Sequence, residues 1–475
     1  MISVDRSGLR LPRAAAPVSE ALRAPPAAPM AAKLWALRRQ RGHPLTLAEY
    51  VEACLTDEEH GYYTTKAPGA VFGSTGSFVT SPEISQMFSE LVGLWCAATW
   101  EAMGSPRRLR LVEMGPGRGT LMADLLRGTA GLPGFGEALE VEMVEVSPSM
   151  RAAQREALGV ESGVDRAGGA GEVDTEDASD GGTSRFGPRV TWRGSLAAVP
   201  SGDGVPALFI AHELFDALPV HQFRRTEKGW CEVMVETADA DDEHDTKLVL
   251  SPGPTTAAAT IAERRLAAMD AASAADLDAL EVSPAGWALA GELARRVADD
   301  AAPGAALIVD YGRFAPYGAT LQGIRDHAFV DVMESPGDVD LSAYVDFQAL
   351  AQAAAEAAPT AAVYEAVDQA TFLKGLGIDV RTEMLAAAAG EGSESAAALR
   401  SQRDRLTATG ADGMGERFMA MAIAHAAMPP PPMSGARYAP YDVPGGGAGE
   451  AARAVAPGAE ALAKARAWGK IPTSL

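Results

Sequence analysis

Cysteine is scarce: the 475 residues hold three, Cys54, Cys96 and Cys231, far apart and without a CxxC pair. That pattern excludes a disulfide framework and signals no zinc site, so a reducing compartment is the default expectation. Long apolar runs are missing too. No stretch approaches the ~18 to 20 uncharged residues that span a bilayer, and no membrane span is expected. Basic residues are few against acidic ones, 41 Lys and Arg to 63 Asp and Glu, for a formal net charge of −22. Nucleic-acid binding needs clustered cations to displace counterions, so the charge argues against such a partner. Two readings of the acid excess stay open: charge that keeps the protein in solution, or a surface that attracts a basic protein segment. His43, His60, His244, His327 and His425 show no metal-ligand spacing, and no metal is expected. His221 reads as a loop or core histidine.

What is present is a globular composition, 47% apolar and 22% charged. The length suits one large α/β domain with insertions, or two domains. Residues 1–44 read as a leader, either disordered or a transit segment. Arg6, Arg10, Arg13 and Arg23 outnumber Asp5 and Glu20, and the absence of an apolar h-region excludes a secretory signal. Ordered structure is expected from about residue 45 to 427, with an acidic, glycine-rich disordered insert at about 159–186 and appended elements at about 222–300 that include a hairpin on the main sheet. Residues 428–475 read as a mostly disordered tail.

Strands alternate with helices through the centre. "LRLVEMG", "LEVEMVEVS", "RVTWRG" and "ALFIAHE" read as strands, and "TLMADLLRG" and "PSMRAAQREAL" as the helices between them, with "AALIVDYGR" a later core strand. That alternation implies a Rossmann-like, doubly wound α/β sheet, with a helical N-terminal part and inserted hairpin and loops. "SPEISQMFSELVGLWCAATW" reads as one helix, with Ser81 as N-cap and Pro82 at its first position.

In open α/β sheets ligands bind outside the carboxyl ends of the strands, which puts a cofactor at residues 114–119. Gly115, Gly117 and Gly119 remove the side chains that would keep a ligand from the backbone and from the following helix N-terminus. The spacing G-P-G-R-G-T fits a dinucleotide fingerprint poorly. After the acidic Glu113 it looks like the first motif of class I methyltransferases that use S-adenosylmethionine. Glu145 closes the next strand, where a carboxylate can accept both ribose hydroxyls. Ser195 and Leu196 follow the third strand at the edge where adenine would settle. His212, Glu213 and Asp216 of "AHELFDALPVHQF" project into the same crevice from the fourth. A plain structural reading stands beside each: a strand-end glutamate for Glu145, helix capping for Glu213 and Asp216. Glu83 supports the cofactor amine or the substrate, or stabilises its own helix N-terminus. Tyr62 and Tyr63 line the mouth or simply pack.

With these motifs together, the chain resembles the MidA family of methyltransferases. The resemblance rests on "GSFVTSPEISQMFSELVGLW", "LVEMGPGRGTLMADLLR", "ELFDALPVHQF", "VDYG", "DVDLSAYVDF", "TFLKGLGI" and "MGERF", in family order from about residue 45 to 425. It implies S-adenosyl-L-methionine as cofactor and a protein substrate, the 49-kDa-type subunit of NADH dehydrogenase, methylated on an arginine as symmetric dimethylation in support of mitochondrial complex I assembly. It implies a mitochondrial matrix location, or the cytoplasm if the chain is bacterial. It makes Glu213, Asp216 and His212 the catalytic candidates, and Glu113, Gly115, Gly117, Gly119, Glu145, Ser195, Leu196 and Glu83 the cofactor-binding ones. Two positions depart from the family pattern: Ser77 stands where Asp is usual, and His212 where Asn is usual, which makes hydrogen bonding there pH-sensitive. A nicotinamide oxidoreductase, a non-catalytic assembly chaperone and a small-molecule methyltransferase are the alternatives on residues alone. Nothing in the sequence sets the oligomeric state.

Overall fold

A computed structural model describes residues 28–71, 79–161, 180–237, 246–410 and 413–439, with the backbone of Arg13 and Ala14. Ser77, most of the expected insert and most of the tail lie outside the described residues. The main sheet contains β1 (Leu109–Met114), β2 (Leu139–Val144), β3 (Gly181–Thr183), β4 (Arg189–Arg193), β5 (Ala207–His212), β6 (Ala305–Arg313), β7 (Ala361–Val363) and β8 (Phe418–His425). Their spatial order is β7-β8-β6-β5-β1-β2-β4-β3. Strands β4, β2, β1, β5 and β6 are parallel, and β8 runs antiparallel to β6. Every residue of β1 and β5 is buried, as expected for central strands covered on both faces.

Alternate strand residues serve opposite faces. Leu109, Leu111, Leu208, Ile210, Leu307 and Val309 pack into one apolar cluster. Val112, Phe209, Ala306 and Ile308 pack into the other. The order reverses between β1 and β5, so the crevice lies at the carboxyl ends of those two strands.

Several expectations need correction. The hairpin is not part of the main sheet. Strands 221–226, 229–237, 246–250 and 279–282 form a separate antiparallel sheet, with Leu45–Thr46 added along 229–237. Val235 and Leu248 of this sheet pack with the N-terminal helices, and Phe223, Leu280 and Val282 pack with one face of the main sheet.

The expected leader contains α1 (Pro29–Arg41), with Pro29 at its start, three arginines in its last turn and Gly42 as a left-handed cap. Met30 and Leu34 of α1 are buried against Tyr50 and Val51 of α2 (Leu47–Thr56) and Val235 of the second sheet. Within the expected insert, 181–183 pair with β4 as β3, because the backbone of Gly181 lies too close to Val190 for a side chain. The described part of the expected tail, up to residue 439, is packed: Trp95 Nε1 donates to the Pro432 carbonyl at 3.0 Å, and Tyr364 bridges to Arg437.

The expected single helix at 81 is two. Thr80 supplies a capping box with Glu83 for the turn Ser81–Ile84. Ser85, extended at φ −157°, then caps α3 (Gln86–Ala102), its side chain accepting from Met87 N–H. Ser81 is thereby released from capping.

If α1 belongs to the core, Leu34→Ala costs about 2–5 kcal/mol, read as a lower midpoint in urea unfolding. Stability unchanged within about 0.5 kcal/mol would mean that the helix docks without contributing.

Candidate active site

The glycine turn separates β1 from α4 (Thr120–Thr129). Gly115 and Gly119 have φ of +63° and +82°, in the left-handed region where a Cβ is costly. A Cβ on Gly115 would sit 2.8 Å from Leu214 Cδ1, and one on Gly119 3.1 Å from Gln154 Cα. The turn is packed from both sides, from the loop after β5 and from α5 (Pro148–Leu158).

Gln154 of α5 is a residue that sequence reasoning missed. Fully buried, its Nε2 donates to the Gly117 carbonyl at 2.7 Å and to Glu145 Oε2 at 3.1 Å. Its Oε1 accepts from Trp192 Nε1 at 2.8 Å. One amide thus ties the turn, the end of β2 and β4 together. Glu145 Oε1 accepts from the Ser147 N–H at 2.8 Å. Burial raises its carboxyl above the usual range, and the Ser147 and Gln154 hydrogen bonds oppose that rise. Beside it Val146, 60% exposed, opens a groove of about 530 Å³ lined by Pro148, Arg151, Ala152, Arg155 and Asp180. Ser195 is exposed just past β4, and the Leu196 carbonyl accepts from Arg296 Nη2 at 2.8 Å. Neither lines that groove.

Glu113 is buried at the end of β1, with Oε2 lacking any hydrogen-bond partner. Burial pushes its carboxyl up to about 8. Glu83 remains in its capping box and lies 3.6 Å from Arg118 of the glycine turn, so it stands at the crevice edge in the capping role.

The loop after β5 is organised by Asp310 of β6, fully buried. Asp310 Oδ2 accepts from the backbone N–H groups of Leu214, Phe215 and Asp216 at 3.1, 2.9 and 3.4 Å, and Oδ1 from Tyr311 N–H at 2.9 Å. Glu213 is held at φ +48°, a conformation rare outside glycine and common at functional sites. Its Oε1 accepts from the freed Ser81 N–H and hydroxyl at 3.0 and 3.3 Å, while Oε2 is buried without a partner. His212 Nε2 lies 3.1 Å from Glu213 Oε1 but is not aligned to hydrogen-bond with it.

Asp340 stands on a separate three-stranded sheet (322–325, 328–330, 340–342) and accepts from the Tyr63 hydroxyl at 2.7 Å. The Ala343 N–H donates to the Asp216 carbonyl at 2.8 Å, which fixes that sheet to the loop. Burial, with Asp310, Asp340 and Glu213 beside it, drives the Asp216 carboxyl well above the usual range. Asp310 is also raised, by burial and by Glu213. Because Asp310 spends both oxygens on backbone donors, the proton of this pair belongs on Asp216.

The four acids, Glu213, Asp216, Asp310 and Asp340, have no ion pair with Lys or Arg among the described residues. Among the same residues no cluster of His, Cys, Asp and Glu is arranged to hold a metal. His221 is elsewhere, 2.8 Å from Glu232 in the second sheet.

Comparison with known proteins bears on this geometry. A family model of S-adenosyl-L-methionine-dependent methyltransferases matches residues 91–365. The mitochondrial protein arginine methyltransferase NDUFAF7 of Danio rerio is 38% identical over 350 residues, 72% of this chain and 75% of its own length. The human protein of the same name is 36% identical over 402 residues, 83% and 82% of the two chains.

The chain belongs to this methyltransferase family.

A solved structure from Burkholderia thailandensis, bound to S-adenosyl-homocysteine, matches this methyltransferase with a TM-score of 0.63 and 26% identity, over 84% of this chain and 92% of that one. The cofactor is S-adenosyl-L-methionine rather than a nicotinamide. The buried Glu113 oxygen that has no hydrogen-bond partner, near the carboxyl end of β1, fits such a group.

Glu113 yields a pH prediction. Its folded value of about 8 lies above the ordinary 4.5, so between those values the folded protein keeps a proton that the unfolded chain releases. Stability contributed by that proton is lost as pH rises through the window. In thermal melts from pH 6 to 8.5, Glu113→Gln should lose less stability than the wild type. Parallel curves would mean that Glu113 titrates normally.

Proposed function

We propose that this methyltransferase acts on an arginine side chain of a protein, with the loop after β5 as the acceptor pocket. The observation that carries the reading is the buried set of acids at the crevice, which pairs with no Lys or Arg among the described residues and leaves Glu213 Oε2 unpaired. When bound, S-adenosyl-L-methionine supplies an electrophilic methyl group on a sulfonium. A sulfonium and a guanidinium at about 4 Å repel by roughly 4 kcal/mol at an effective dielectric near 20. Carboxylates facing the guanidinium offset that repulsion. The Glu213 carboxylate meets the charge, the Asp216 carboxyl oxygen accepts a second hydrogen bond, and the pair turns one nitrogen toward the methyl carbon, while His212 flanks Glu213. Glu113, the Gly115–Gly119 turn and Glu145 hold the cofactor, with Ser195 and Leu196 at its adenine edge and Glu83 at its amine end.

The names of the relatives, protein arginine methyltransferase and mitochondrial, support the same acceptor and location. On the family resemblance, the substrate is the 49-kDa-type subunit of NADH dehydrogenase, symmetrically dimethylated in the mitochondrial matrix during complex I assembly.

Two measurements test this. Calorimetric titration should show S-adenosyl-L-methionine binding to the wild type, weakened at least about 100-fold in Glu145→Ala, the loss of two hydrogen bonds to a charged group. With the recombinant 49-kDa-type subunit as acceptor, Glu213→Gln should lower methyl transfer by about 10²–10³-fold and leave cofactor affinity within about twofold. A folded wild type that binds the cofactor but labels no arginine overturns the reading.

A further inference from the structure

Methylation of a guanidinium leaves a proton to place, and the acids around Glu213 are not equivalent acceptors. Asp310 has both oxygens committed to backbone N–H groups. Glu213 spends Oε1 on Ser81 and has Oε2 for the grip. Asp216 is pushed toward its protonated form by burial and by Asp310, Asp340 and Glu213 beside it.

Asp340 differs from all three. Its Oδ1 accepts the Tyr63 hydroxyl at 2.7 Å, and Oδ2 takes no hydrogen bond among the described residues. It comes from a different sheet, so its position does not depend on the loop that Asp310 organises. That sheet is nevertheless held against the Asp216 turn by the Ala343 to Asp216 backbone bond.

Building on the arginine reading above, we propose that Asp340 is the proton acceptor of the transfer, with Tyr63 as the positioning residue that keeps it ionised. The substrate nitrogen forms a bond to the methyl carbon as the carbon–sulfur bond breaks, the electron pair of that bond staying on sulfur. The surplus proton leaves the same nitrogen for Asp340 Oδ2. Mass and charge balance without another reactant.

The surroundings suit this role. Asp340 faces Tyr63 from the N-terminal part, Asp216 from the loop after β5, and Tyr311 from β6. Tyr62 lies against Tyr63 with ring centroids 5.3 Å apart. Lys66, three residues after Tyr63, is paired with Asp338 at the surface. Burial brings Asp340 up to about 6, and the Tyr63 hydrogen bond holds it from going higher. It is therefore ionised at neutral pH yet basic enough to take a proton.

The test uses the full chain, radiolabelled S-adenosyl-L-methionine and the recombinant 49-kDa-type subunit. Asp340→Asn should lower kcat at least about 100-fold with cofactor affinity and melting temperature near wild type. Tyr63→Phe should keep measurable turnover but move the acid limb of kcat/KM upward by about one pH unit, the loss of one hydrogen bond to a carboxylate. That shift is a readout that a merely structural tyrosine would not move. Asp340→Asn within about threefold of wild type, or an unmoved acid limb in Tyr63→Phe, overturns the assignment alone. A wild type that transfers nothing to arginine overturns the function above and this inference with it.

Discussion

The site depends on one carboxylate that touches no substrate. Asp310 collects three consecutive N–H groups of the loop after β5, and so dictates where that loop leaves the sheet. Buried donors demand acceptors, and no water can replace this one without loss. The consequence runs outward. With residues 214–216 fixed, Glu213 has little choice but its left-handed conformation, and Ser81 completes the restraint from the opposite side of the crevice. Leu214 is pressed at the same time onto the glycine turn, so acceptor pocket and cofactor turn share one anchor.

That arrangement explains how acids can be packed together without a neutralising residue. Each is stabilised differently: Asp310 by backbone dipoles, Glu213 by a serine, Asp340 by a tyrosine, Asp216 by a proton. The cost of burial is shared rather than cancelled. A cation arriving in the pocket meets groups already desolvated and oriented, which is the condition for strong electrostatic binding.

The central sheet was legible in the sequence because continuous apolar runs and glycine punctuation are local signals. The order of strands, the glycine turn and the strand-end acids Glu113, Glu145 and Glu213 follow from such signals. The second sheet was not, since nothing local says which edge a hairpin will join. Helix α1 was hidden by a composition rich in Ala, Arg and Pro, and its burial becomes apparent only when Tyr50 and Val235 are brought to it. Gln154 and Asp340 were missed for a related reason: each matters through partners far along the chain, Gly117 for one and Tyr63 for the other. Asp310 sat in a quoted motif, "VDYG", but its role needs the neighbouring strand to be visible.

The position of β8 bears on how the molecule is made. This strand, 418–425, is among the last described residues, yet it lies inside the sheet between β6 and β7. Until the ribosome has released it, β6 has an open edge of unpaired backbone N–H and C=O groups, the kind of surface that seeds aggregation. That side of the sheet can therefore close only after residues 418–425 have been made. A chain cut before residue 418 would lose β8 and with it the partner of β7, and the sheet would end at an unpaired β6 that quality-control proteases would meet first.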